Sequence, residues 1–163
     1  MRKTLSIILI GALTIVLTGC LTTDTKEYTW EFNNDGSGQG KIVFENIFSS
    51  GNTDEDYSLE DFNSLINDYI EGTTLEDTDG GMRDVEKRLY IDDGKLCGEI
   101  TFKFDNYQDV GFYRYENDGP YMYLVNLGEE FFVNCNGEWA GEDFPVIFWP
   151  EATKEFILTT SLG

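Results

Sequence analysis

The feature that most constrains the fold is a series of short segments in which apolar and polar residues alternate, separated by residues that form turns. Residues 26–33 alternate aromatic and polar side chains, so one face of an extended chain is apolar. Residues 34–38 are Asn, Asp, Gly and Ser, which favour a tight turn. Ile42 and Phe44 then recur with the same period, so the sequence predicts an antiparallel hairpin.

Further segments of this kind follow, and Asp92-Asp93-Gly94 is a second strong turn signal. The predicted strands lie at residues 84–91, 96–104, 112–115, 121–127, 130–135, 146–149 and 156–158. One stretch, about residues 58–71, instead has apolar residues at helical spacing behind Ser58, a good N-cap residue. The expected fold is therefore α+β, mainly an antiparallel β-sheet or sandwich with one principal amphipathic helix.

The N-terminal residues have the layout of an export signal. Arg2 and Lys3 provide positive charge, Leu5 to Leu17 is a mostly apolar run, and small residues precede Cys20. The apolar run is shorter than the roughly 20 residues that a membrane-spanning helix needs. We therefore expect this segment to direct export and not to remain as a transmembrane span.

The sequence Leu17-Thr18-Gly19-Cys20 resembles the lipobox of bacterial lipoproteins, which carry a type II signal peptide. The resemblance implies transfer of a diacylglyceryl group to the Cys20 thiol, cleavage before Cys20 and further acylation of the new amine. Two or more acyl chains are enough for stable anchoring to a membrane. The alternative is an ordinary secretory signal, in which Cys20 remains a thiol.

These assignments divide the chain into three parts. Residues 1–19 are the predicted signal peptide, residues 20–25 a lipidated cysteine with a short polar tether, and residues 26–163 a single acidic domain. The predicted location is the cell envelope, on a membrane through the lipid. By analogy with lipoprotein sorting in enteric bacteria, Leu21 lacks the aspartate that retains proteins at the inner membrane, which favours the outer membrane in a cell with two.

The charge of the chain excludes some partners. The net charge is −20, and it becomes −22 once Arg2 and Lys3 are removed with the signal. Nucleic-acid binding needs a basic surface, and anionic lipid headgroups would repel this one. We predict no nucleic-acid partner. With 40% hydrophobic and 15% aromatic residues, the acidic chain is still expected to fold.

Cys97 and Cys135 both lie in predicted strands. Export makes a disulfide between them possible if the strands are neighbours, and two buried free thiols are the alternative. A metal site is disfavoured, because the chain has no histidine and neither cysteine has a second thiol nearby.

The sequence carries few signs of catalysis, and we predict no catalytic residue, no metal and no cofactor. The absence of histidine removes the commonest general base and the usual catalytic triads. Two alternatives remain: a carboxylate-based glycan hydrolase, since acidic residues are abundant, and a calcium-binding surface protein using the acidic turns at residues 77–80 and 92–94.

The hairpin at Asp35-Gly36-Ser37-Gly38 and the later Trp149-Pro150 resemble small LppM-like envelope lipoproteins. That resemblance implies a compact α+β envelope domain without assigned catalysis. Tyrosines and tryptophans on a shared exposed face would add a platform for carbohydrate, peptide or protein. The expected function is a non-enzymatic lipoprotein, anchored in the membrane, with a binding or structural role toward an envelope protein or glycan.

Overall fold

The computed structural model describes residues 21–50, 56–78, 80–116 and 118–162, and these ranges are rich in β-strands. The strands are β1 (Leu21–Phe32), β2 (Gly38–Ser49), β3 (Arg83–Asp92), β4 (Lys95–Phe104), β5 (Phe112–Tyr113), β6 (Tyr121–Tyr123), β7 (Glu130–Cys135), β8 (Glu138–Trp139), β9 (Val146–Phe148) and β10 (Glu155–Leu162).

The strands form two antiparallel sheets. The large sheet has the order β3-β4-β2-β1-β10-β7, and the small sheet has the order β5-β6-β9-β8. Both predicted hairpins are present: β1 pairs with β2, and β3 pairs with β4 through a turn in which Asp93 and Gly94 have positive φ angles of 47° and 76°. The predicted α+β class with mainly antiparallel strands is confirmed.

The principal helix also lies where the sequence predicts it. Helix α1 (Ser58–Ser64) continues directly into a π-helical segment, Leu65–Ile70, and a short helix α2 (Thr74–Thr78) follows. Tyr57, not Ser58, occupies the N-cap position. The backbone N–H of Ser58 instead donates to the Asp56 carboxylate at 3.0 Å, which takes over the capping role.

The two sheets and the helix enclose one hydrophobic core. The inward faces of β1, β2, β4 and β10 supply most of one side, because alternate side chains on each strand point inward. Leu65 and Tyr69 of the helical segment and the inward residues of the small sheet supply the other. The small-sheet contribution consists of Phe112, Met122, Ile147 and Trp149, which adjoins β9.

Two glycines of β2 make room for aromatic rings on β4. Gly38 pairs with Phe104 and Gly40 with Phe102. A Cβ atom at Gly40 would lie 2.3 Å from the Phe102 ring, so any larger residue would displace that ring. Covering strand glycines with cross-strand aromatic rings is a known way of fixing strand register.

The predicted tether is wrong. Residues 21–25 belong to β1, where Leu21 pairs with Ser49 and Thr25 with Glu45. Leu21 and Thr23 are also buried. The polar composition of these residues suggested a solvated linker, but the partner strand β2 satisfies their backbone groups. Leu21, the residue that follows Cys20, is therefore already part of the sheet.

Several predicted strands differ in extent from those observed, and the one at residues 112–115 ends at Tyr113. The predicted strand at residues 121–127 ends at Tyr123, and Leu124–Leu127 form a 3₁₀ turn. The predicted last strand, residues 156–158, extends over all of β10, because it pairs with β1 on one side and with β7 on the other. Pairing partners distant in sequence thus set the latter two lengths.

Candidate functional site

The outer surface of the small sheet carries a group of aromatic side chains, which we call the tyrosine face: Tyr113, Tyr121, Tyr123 and Phe148. These residues alternate along β5, β6 and β9 with the core residues of the same strands. Cross-strand pairing brings Tyr113 beside Tyr121 and Tyr121 beside Phe148. The sequence raised a shared aromatic face as an alternative to core packing, and the structure brings these four residues together.

The rings of the tyrosine face contact one another. Tyr121 is central, with ring centroids 5.8 Å from Tyr113, 5.7 Å from Tyr123 and 5.9 Å from Phe148. Tyr123 and Phe148 are exposed, and Tyr113 and Tyr121 are half-buried. Rings held by their neighbours lose little side-chain entropy on binding, and tyrosine offers both an apolar surface and a hydroxyl. The arrangement suits a flat or extended ligand.

The electrostatic setting of the tyrosine face restricts what it can bind. Glu138 pairs with Phe148 across β8 and β9 and is exposed at the rim of the face. The whole chain carries a net charge of −20. A neutral or positively charged ligand is therefore favoured over an anionic one.

A buried charged cluster joins three strands of the large sheet. The Glu130 carboxylate accepts hydrogen bonds from Lys26 Nζ at 2.6 Å, from Tyr28 OH at 2.8 Å and from Thr160 Oγ1 at 2.5 Å. The side chains of Lys26 and Glu130 are each only 3% exposed. Lys26 Nζ also lies 5.7 Å from the centroid of the Phe44 ring. With three donors on it, this carboxylate holds β1, β7 and β10 together.

No local sequence pattern predicts this cluster as a whole, although one signal is present. Lys26 has the same parity in β1 as the buried Tyr28 and Trp30, so the alternation already placed a lysine on the apolar face. Glu130 is separated from Lys26 by 104 positions, and no local pattern joins them. The pairing follows from β10 lying between β1 and β7.

The cluster makes stability depend on pH in alkaline solution. The pKa of Tyr28 is raised well above 10.0, chiefly because burial removes the phenol from water and then because Glu130 opposes a phenolate. Above pH 10.0 the unfolded chain loses this proton and the folded chain keeps it, so stability falls by up to about 1.4 kcal/mol per pH unit. Below that pH the contribution is fully present.

Urea denaturation at several pH values between about 9 and 11.5 measures how steeply the free energy of unfolding falls with pH. We expect Tyr28→Phe to reduce the slope of the free energy of unfolding against pH. The matched control is Tyr123→Phe on the exposed tyrosine face, which should leave it unchanged. An equal slope in wild type and Tyr28→Phe would show that another group controls alkaline unfolding.

Of the two alternatives for Cys97 and Cys135, the structure has free thiols and no disulfide between them. Cys97 lies on β4 and Cys135 on β7, and three strands separate these two in the large sheet. Because neighbouring strands are about 4.8 Å apart, the two residues are far beyond the reach of a disulfide. Burial raises the pKa of the Cys135 thiol. Cys20, the predicted lipid attachment site, lies outside the described residues.

The two acidic turns that the sequence offered for calcium binding are residues 77–80 and 92–94. Asp92–Gly94 forms the tight turn between β3 and β4, and Asp79 of the other turn lies outside the described residues. No group of three or more Cys, Asp or Glu side chains in the described part of the chain is arranged to hold a metal ion. In the same part of the chain, no helix has the length and apolar character needed to cross a membrane.

A second surface feature is a polar cleft of about 430 Å³ at the β1–β2 turn. Its lining includes Asn34, Arg114, Glu151 and Lys154. Arg114 Nε donates to the Asp118 carbonyl at 2.8 Å, and its guanidinium lies 3.6 Å from Glu151. These internal contacts satisfy Arg114, so the tyrosine face is the stronger candidate site.

Comparison with protein-family models, with curated proteins and with solved structures finds no match to this chain.

Proposed function

We propose that this protein is a non-enzymatic bacterial envelope lipoprotein, held on a membrane by lipid at Cys20, that binds an envelope protein or glycan through the tyrosine face. The observation that carries the binding role is the set of four touching aromatic rings on the outer surface of the small sheet. The resemblance of residues 17–20 to a lipobox supports the proposed lipid anchor.

The fold supports this role in two ways. The tyrosine face lies on strands whose other side is packed into the core, so its rings stand on a rigid support. The buried carboxylate Glu130 is bonded to Lys26, Tyr28 and Thr160 and is therefore committed to holding strands. The surface that remains available for a partner is aromatic and acidic, which favours neutral or basic envelope components.

The anchor is tested by Cys20→Ala in the full chain. We expect the variant to leave the membrane fraction and appear in the soluble fraction, because no acyl chain would hold it. Cell fractionation with immunodetection measures the shift, and mass spectrometry of the wild type measures the acylation. Cys135→Ala is the control and should leave the protein on the membrane. Retention of Cys20→Ala would contradict the anchor.

The binding role is tested by replacing two rings of the tyrosine face together, Tyr121→Ser and Tyr123→Ser. Acylated wild type and variant are used to capture envelope proteins and glycans from detergent-solubilised membranes. We expect the double variant to lose the specific partner by about tenfold or more, since each aromatic contact contributes about 1 kcal/mol or more.

The control for this experiment is Tyr115→Ser, which removes an exposed ring outside the tyrosine face. It should capture the partner as the wild type does. If the double variant captures the same components as wild type while keeping its melting temperature, the tyrosine face is not the binding surface.

A further inference from the structure

Three large apolar side chains project into solvent at the end of the large sheet where β1 begins, and we call this region the apolar end. Phe48 lies near the end of β2, Leu59 in the first turn of α1 and Ile91 near the end of β3. Their exposures are 39%, 72% and 68%. Side chains of this size are usually covered in a monomeric protein when they lie in one region.

Strand pairing and a side-chain hydrogen bond place Phe48 and Leu59 near the start of β1. Thr22 pairs with Phe48, so Phe48 adjoins the second residue of β1. Ser49 Oγ donates to Asp61 Oδ2 at 2.5 Å, which ties the end of β2 to the first turns of α1. Leu59 lies two positions before Asp61, so it belongs to the same end of the domain.

The third residue, Ile91, reaches this end through the β3–β4 hairpin. It pairs with Leu96, the second residue of β4. The neighbouring Lys95 has its Nζ 3.7 Å from the carboxylate of Asp24, the fourth residue of β1. The start of β4 and the end of β3 therefore lie at the same end of the large sheet as the start of β1, with β2 between β4 and β1.

The peptide bond between Cys20 and Leu21 suggests what covers the apolar end. Cys20 is joined directly to Leu21, the first residue of β1, and consecutive Cα atoms are about 3.8 Å apart. Because the predicted tether is part of the sheet, no spacer separates a lipid at Cys20 from the folded domain. A bilayer that holds the lipid must lie against this end.

We propose that the apolar end rests in the interfacial layer of the membrane and that Phe48, Leu59 and Ile91 insert among the lipid headgroups. This inference rests on the lipid anchor proposed above. Apolar side chains insert about 5–10 Å into this boundary in other interfacial proteins. The contact would fix the orientation of the domain and leave the rest of its surface facing the aqueous phase.

The test uses the full, acylated protein in phosphatidylcholine vesicles with or without brominated acyl chains, which quench tryptophan fluorescence at close range. Phosphatidylcholine is chosen because anionic lipid would repel the acidic domain. Leu59→Trp and Ile91→Trp report on the apolar end. Tyr115→Trp is the matched control: Tyr115 is 65% exposed, and the adjacent Arg114 lines the cleft at the opposite end of β1.

We expect quenching of the added tryptophan to be roughly twofold or more greater for Leu59→Trp and Ile91→Trp than for Tyr115→Trp. Equal quenching at the three positions, with the protein acylated and bound, would overturn the membrane contact and leave the anchor intact. An unmodified Cys20 in a protein that does not bind vesicles would overturn both. Self-association in detergent that shields these positions, without quenching in vesicles, would assign the apolar end to a second copy and overturn the contact.

Discussion

Replacing Glu130 with leucine is expected to destabilise the domain by about 3–5 kcal/mol, because it leaves the Lys26 ammonium buried without its carboxylate partner. Lys26 Nζ lies 2.6 Å from Glu130 Oε1, and both side chains are 3% exposed. The substitution also removes the acceptor for Tyr28 OH and Thr160 Oγ1. Urea denaturation followed by circular dichroism measures the change in the free energy of unfolding.

The double variant Lys26→Met with Glu130→Leu distinguishes the cost of burying the Lys26 charge without the Glu130 carboxylate from the contribution of the pair. Removing both charges should recover a large part of the lost stability, since apolar residues of similar volume often replace a buried ion pair with little loss. Asp105→Asn is the control, because its ion pair with Arg83 is exposed and should contribute about 1 kcal/mol or less. A double variant as unstable as Glu130→Leu alone would contradict this explanation.

The second large effect is expected at Asn136, at the corner where the chain passes from β7 in the large sheet to β8 in the small one. Its Oδ1 accepts from Trp149 Nε1 at 2.8 Å and from Ile157 N at 2.9 Å. Its Nδ2 donates to the Glu155 carbonyl at 2.8 Å. Asn136→Ala would leave the indole N–H of the buried Trp149 without its acceptor, and we expect a loss of about 2–4 kcal/mol.

A residue of the same type two positions earlier provides the control. Asn134 of β7 is exposed, and Asn134→Ala should change the free energy of unfolding by about 0.5 kcal/mol or less. Asn136→Asp keeps Oδ1 as the acceptor of both hydrogen bonds and loses only the Nδ2 donor. Its free energy of unfolding should therefore fall between those of Asn134→Ala and Asn136→Ala. Near-ultraviolet circular dichroism follows the environment of Trp149. Equal stability of Asn134→Ala and Asn136→Ala would show that the corner does not depend on this side chain.

The alternation of side chains predicted much of the large sheet because that signal is local. Residues 26–33 and the turn at 34–38 contain everything that the first hairpin needs, and the same holds for the turn at Asp92–Gly94. Local sequence patterns did not decide whether the tyrosine face exists. They allowed both core packing and an exposed surface for the same aromatic residues. Burial of the opposite faces of β5, β6 and β9 decided between them.

The sequence by itself determined the fold class, the principal helix, the strong acidity and the lipobox resemblance at Cys20, because each depends on composition or on residues close together in the chain. Only the tertiary structure decided that residues 21–25 form part of β1, that three strands separate Cys97 from Cys135, and that Lys26 meets Glu130. The physical reason is that the order of strands in a sheet joins distant segments through backbone hydrogen bonds, which the identities of neighbouring side chains do not encode.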